Sequence, residues 1–253
     1  MKRVLSYSLL GLLAFLLSLL LLAPATLLTE ILSARLPGFS TQEVAGRAIE
    51  GSARGVRWHS TRIEQLEWRW QKWALLTGEL GFRLDAADPD LKLTTSAAIS
   101  LNRRLRLRDF SGRLPLAKLG ALVGQPKLPL QGWAEINLRE LSLNQAGLPL
   151  TAEGVVYLRD VRVTLGQVLN LGDFTVQLTS VQPEGVQGTI KDHEGPLTLN
   201  GTLHWAPDGR YRFNGQAAVR DVGNQPLRQA MNLLGPPGSD GRWALSFSGV
   251  LAR

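Results

Sequence analysis

The stretch LKLTTSAAISLN, residues 91–102, sets Leu91, Leu93, Thr95, Ala97, Ile99 and Leu101 against Lys92, Thr94, Ser96, Ala98, Ser100 and Asn102. A period of two gives a strand with one apolar face and one wet face, the mark of antiparallel sheet. The same alternation returns at LTLNGTLHW, residues 197–205, and at WALSFSGVL, residues 243–251. About a dozen such segments follow one another from Ser40 to the C-terminus, at the spacing of hairpins and meanders. Asp208-Gly209, between two of them, is a strong hairpin signal. The chain is therefore read as mainly β, with a largely antiparallel, multi-stranded domain.

A weak repeat, apolar-x-apolar-x-Gly-x-apolar-x-apolar, runs through residues 128–136, 197–205 and 211–219. A less apolar copy occupies residues 150–158, and a truncated one residues 245–251. The glycine falls on the apolar face each time. Two readings stay open: strong bending of the sheet, which predicts a curved domain, or room for an aromatic ring from a neighbouring strand.

Helical segments interrupt the strands. Residues 26–36, TLLTEILSARL, place Leu27, Leu28, Ile31, Leu32 and Leu36 near helical spacing, and Pro37-Gly38 stops them. This helix lies either at a membrane surface or against the core. PLAKLGALV at 115–123 and QPLRQAMNLL at 225–234 each follow a strand, giving two or three short helices in all. The loop at 124–129 is the one candidate seam in the domain.

Residues 4–23, VLSYSLLGLLAFLLSLLLLA, hold no charge. As a helix of about 30 Å they match the hydrocarbon thickness of a bilayer. Val4, Leu9, Leu13, Phe15, Leu20 and Ala23 sample the length of this expected anchor. Lys2 and Arg3 precede it, so residues 1–3 are expected to stay cytoplasmic and the rest to cross. Ala23-Pro24-Ala25 mimics a signal-peptidase site, but the apolar run exceeds an ordinary signal core of about 7–15 residues. The expected order is a cytoplasmic tip at 1–3, a transmembrane helix at 4–23, a juxtamembrane helix and linker at 24–38, and a β domain at 39–253. In a bacterium that domain lies in the periplasm and the anchor in the inner membrane.

Little in the sequence carries catalysis. The 253 residues contain no cysteine and three histidines, His59, His193 and His204. Disulfides, thiolate metal sites and cysteine nucleophiles are excluded. Asp192-His193-Glu194 sits between Lys191 and Gly195-Pro196, the composition of a solvated hairpin tip. No phosphate-cradling loop, dinucleotide fingerprint or metal-ligand spacing occurs. The chain is read as no enzyme, with no cofactor.

The balance of charge is +7. Arg103, Arg104, Arg106 and Arg108 flank Leu105 and Leu107, so a strand there carries an arginine row. Arg47, Arg54, Arg57, Arg62 and Arg69 are interleaved with Trp58, Trp68, Trp70 and Trp73. In a cytoplasmic protein that mixture points to nucleic acid; beyond an inner membrane none is expected. Anionic lipid head groups, an acidic partner, or plain solvation of a wet strand face remain.

One region is distinctive. Residues 43–86, EVAGRAIEGSARGVRWHSTRIEQLEWRWQKWALLTGELGFRLDA, open with Val-x-Gly-x-x-x-x-Gly-x-Ala and lead into a Leu-x-Trp-x-Trp strand. Trp-Ala-Leu-Leu-x-Gly turns the chain into an alternating strand. Leu130-Gln131-Gly132-Trp133 opens another, and Pro207-Asp208-Gly209-Arg210-Tyr211-Arg212-Phe213 and Asp240-Gly241-Arg242-Trp243 mark the tail. With these residues the chain resembles the type II secretion system protein N family over essentially its whole length, departing at Arg54-Gly55, where more apolar character is expected. The resemblance implies a non-enzymatic, inner-membrane accessory component of the machine that exports folded proteins through an outer-membrane secretin. It implies one N-terminal span, a periplasmic β domain, and neighbours among the C, L and M platform components, with the secretin as a further partner. It brings no functional residue. An AsmA-like lipid-handling protein with an apolar concave sheet is the alternative from another class.

Overall fold

The computed structural model describes residues 22–35, 38–58, 61–100, 102–118, 129–183 and 185–250, with the isolated positions Tyr7 and Gly11. Most of the expected anchor, including Val4, Leu9, Leu13, Phe15 and Leu20, lies outside the described residues, as does His59. Among the described residues no helix is long and apolar enough to cross a membrane.

Alternation becomes one antiparallel sheet. Its strands are β1 (Phe39–Ser40), β2 (Glu43–Arg47), β3 (Glu50–Trp58), β4 (Thr61–Gln71), β5 (Glu79–Asp88), β6 (Leu91–Ser100), β7 (Leu105–Pro115), β8 (Leu130–Leu143), β9 (Pro149–Leu165), β10 (Gln167–Ser180), β11 (Val186–His193), β12 (Leu197–Trp205), β13 (Arg210–Val219) and β14 (Trp243–Val250). From β3 onward each strand pairs with the next, a pure meander, while β1 and β2 both pair with β3. The sheet does not close: β14 pairs only with β13. β7 and β8 pair from Leu105 opposite Leu143 to Pro115 opposite Trp133, so one sheet runs past the candidate seam.

Helix α1 (Ala25–Arg35) seals the first part of the apolar face. Ala25 and Leu28 pack with Ala53, Val56 and Trp68, so the core-capping reading of this segment is the observed one. Leu27 and Ile31 point outward and are exposed. Helix α2 (Gln225–Asn232) buries Leu227 and Met231 in the main core, and Asn224 caps it by accepting from the Leu227 N–H. The segment expected to be helical from Pro115 begins as Leu116–Lys118, because Pro115 still belongs to β7; residues 119–128 lie outside the described residues. A 3-10 turn (Lys72–Thr77) joins β4 to β5.

Both readings of the repeated glycines hold, at different places. The Phe213 ring covers Gly201 and Gly215, which face each other across β12 and β13, and Tyr211 lies over Gly249. Gly132 and Gly154 instead have φ of 119° and 146° and abut the backbone of a neighbouring strand. Gly132 and Gly172 lie at register shifts beside Asp160, itself at φ 56°. These bulges fall side by side on β8, β9 and β10 and crease the sheet, as bulges do. Asp173 ties the crease: it accepts from the Asp160 N–H at 2.8 Å and from Arg159 at 3.0 Å. Those contacts hold its carboxyl below the usual range against the opposing effect of burial.

Candidate functional site

The connections of a meander alternate between its two ends. At one end lie the turns 48–49, 72–78, 102–104, 144–148, 181–185 and 206–209; at the other lie 89–90, 194–196 and the α2 segment. The four arginines divide between a turn and a strand. β7 starts at Leu105, so a strand bearing all four is corrected. Arg103 sits in the preceding turn at φ 56° and donates its N–H to the Ser100 carbonyl. Arg104, exposed, accepts the Ser100 N–H on its own carbonyl.

Arg106 and Arg108 lie on the wet face beside a buried carboxylate. Glu79, 7 % exposed, binds Arg106 directly and stands 3.9 Å from Arg108. Arg106 also faces Glu140 at 3.6 Å. The rung through Arg108 runs Glu50, Arg69, Arg83, Ser96, Arg108, Glu140, Glu153 across seven neighbouring strands. Acidic and basic groups thus share the face, with Arg69–Glu50 and Arg139–Glu153 as further pairs. Exposed pairs of this kind contribute little each, about 0–1 kcal/mol. The Arg106–Glu79 contact differs because one partner is buried.

Glu79 had no signal in the sequence: a glutamate after Thr-Gly reads as a turn residue. The tip expected at Asp192-His193-Glu194 holds for His193 and Glu194, which are exposed where β11 turns into β12, but not for Asp192. The Asp192 carboxylate accepts from the Leu199 N–H at 3.0 Å and from Arg220 at 2.7 Å, with its side chain 9 % exposed. His204 lies exposed on the wet face. Among the described residues no cluster of His, Asp or Glu is arranged to hold a metal ion.

The apolar face is filled over the middle of the sheet. Leu114, Ala134, Ile136, Phe174, Leu197 and Trp243 belong there to one buried cluster with Leu227 and Met231 of α2. Large apolar side chains are exposed at its margins: Phe247 and Val250 on the open edge strand, and Trp73, Leu75, Leu76, Leu80 and Ile99 around one end.

No curated protein and no solved structure matches the chain. The family model for protein N of the type II secretion system matches residues 37–246, from the entry of β1 into β14. That span takes in the meander from β1 to the first half of β14 with the glycines Gly132, Gly154, Gly201 and Gly215 that shape it, and the chain belongs to the type II secretion system protein N family.

Proposed function

We propose that the chain is a non-enzymatic accessory component of the type II secretion machinery, anchored in the bacterial inner membrane by residues 4–23 and acting through protein contacts of its periplasmic sheet. The family supports the accessory role. The observation that carries the contact reading is the open edge at β14, where Phe247 and Val250 are exposed beside a row of backbone groups with no strand on their outer side among the described residues. Such an edge is a template for a partner strand. The partners fitting this role are the platform components and the secretin. The filled middle of the apolar face favours this reading over lipid handling, which needs an open groove there.

Affinity capture of the full chain from detergent-extracted envelopes tests it. Platform components should co-purify, and Phe247→Lys or Val250→Lys, which set a charge on the edge, should lose them while the thermal transition persists. Capture that recovers no secretion component from wild type, or is equal for wild type and both variants, overturns the edge-contact reading.

A further inference from the structure

The 3-10 turn Lys72–Thr77 presents three large apolar side chains to solvent, as Val222, Leu233 and Leu234 do at the opposite end. Trp73 is 82 % and Leu76 79 % exposed, and Leu75 is half exposed. The turn is ordered, not frayed: Gly78 closes it at φ 71° with its N–H on the Leu75 carbonyl, and Ala74 packs on Gly81. A tryptophan and two leucines turned into solvent serve no packing purpose in the isolated domain. Leu80 and Ile99, cross-strand partners on the other face, are exposed at the same end.

Ala23 and Pro24, where the described chain follows the apolar run, join the fold at this end. The Ala23 carbonyl accepts from the Ala48 N–H at 2.9 Å, and Pro24 bridges Arg47. The neighbouring Ile49 carbonyl accepts from the Trp70 N–H at 2.7 Å. Trp73 follows three residues later, at most about 10 Å along the chain. Leu22, the last apolar residue before Ala23, is exposed as well.

Taken together, three turns of this end are cationic, while a fourth, 206–209, carries the exposed Asp208. The turns 48–49, 72–77 and 102–104 hold Lys72, Arg103 and Arg104 and no carboxylate. At the opposite end Asp90, Glu194, Asp221 and Asp240 are exposed, together with Arg220 and Arg242. Aromatic and leucine side chains with cations at the same end are a composition that settles at a bilayer interface bearing anionic head groups.

We propose that this end of the sheet rests on the anionic phospholipid surface, with Trp73, Leu75 and Leu76 inserted among the head groups and Lys72, Arg103 and Arg104 against their phosphates. The sheet then stands end-on, its open β14 edge directed along the periplasm. The inference rests on the reading of residues 4–23 as an anchor, and its test separates the two.

The chain lacks cysteine, so single cysteines label cleanly. The full chain carrying Leu76→Cys, Trp73→Cys or, as the far-end control, Asp90→Cys is labelled with an environment-sensitive fluorophore. It is reconstituted in phosphatidylethanolamine–phosphatidylglycerol vesicles with or without a lipid spin-labelled near the head group. Labels at 73 and 76 should shift to the blue and lose most of their emission to the spin label, and the label at 90 should do neither. Replacing phosphatidylglycerol with phosphatidylcholine should reduce the quenching at 76. Flotation reports the anchor separately. A chain that floats with the vesicles but shows equal emission at 73, 76 and 90 keeps its anchor and overturns this inference. A chain that fails to float overturns both.

Discussion

Trp68 lies across Gly51, its register partner on β3, so closely that a Cβ at residue 51 would stand 2.7 Å from the indole ring. The indole N–H reaches the Ala48 carbonyl at 3.1 Å, and the side chain is only 6 % exposed. One residue therefore joins β4, β3, the 48–49 turn and, through Ala48, the point where the chain enters the domain. Trp68→Ala should destabilise by about 3–5 kcal/mol, as for other buried aromatics. Gly51→Ala should destabilise as well, because the carbonyl of Ala45 at 2.6 Å leaves the new methyl nowhere to go. Thermal unfolding of the detergent-solubilised chain reads both, and unchanged midpoints would mean that the ring is not seated here.

The ion pair of Arg106 with Glu79 has a different consequence. Removing Arg106 leaves a buried carboxylate with Arg108 at 3.9 Å and nothing closer among its ion-pair partners. Arg106→Ala should cost about 1–3 kcal/mol, the range for a buried polar group that loses its partner. Arg106→Ala combined with Glu79→Gln should cost less than the sum of the two, since the stranded charge is gone. Charge reversal at Arg106 therefore tests folding, and contact experiments on the arginines belong at Arg103 and Arg104.

Much of this was legible from period-two alternation. Residues 197–205 form β12 as read, and β6 and β14 fall within a residue or two of their expected bounds. Asp208-Gly209 turns β12 into β13. β9 was harder, because Gly154 and Asp160 each sit at positive φ beside a register shift, and every shift of that kind flips the phase of the alternation. The arginine row was legible as a cluster but not as a site. Nothing in the order Arg-Arg-Leu-Arg-Leu-Arg says that a carboxylate two strands away, Glu79, will be folded under two of the four. The exposed turn at Trp73 read as a connector because its exposure depends on where the neighbouring strands end.

Asp173 supplies a pH dependence whose sign is fixed. The Asp160 N–H first, and then Arg159, favour its ionised form in the fold, so its folded pKa lies below the ordinary value. Its contribution is complete above the ordinary carboxylate range of about 4 and is lost as the pH falls through the lower folded value. Asp173→Asn should be less stable than wild type near neutrality, and the difference should shrink as the solution is made acid. A difference that stays constant over that interval would show that the carboxylate gains nothing from the crease. Urea midpoints measured across the acid range make the comparison.

Asn144 and Pro207 offer the sharpest test of the curl of the sheet. They belong to the turns joining β8 to β9 and β12 to β13, four strand spacings apart. In a flat sheet those turns would be separated by roughly 19 Å at the usual spacing between strands. Instead Asn144 Nδ2 donates to the Pro207 carbonyl at 3.2 Å, and the Gly185 N–H of the intervening turn reaches the Leu150 carbonyl at 2.8 Å. Asn144 does two jobs with two ends of one amide, because its Oδ1 also accepts from the N–H groups of Ala146 and Leu148 at 2.8 and 3.0 Å. Asn144→Asp keeps the acceptor and the local turn but replaces the donor with an oxygen facing the Pro207 carbonyl. Asn144→Ala removes both. The aspartate variant should speed amide exchange in the 206–209 turn while leaving 146–148 protected, and the alanine variant should speed both and cost about 1–2 kcal/mol. If the aspartate variant leaves exchange at 206–209 unchanged, the two turns are held together by the packing of the apolar face alone, and the amide bridge is a consequence of the curl and not one of its causes.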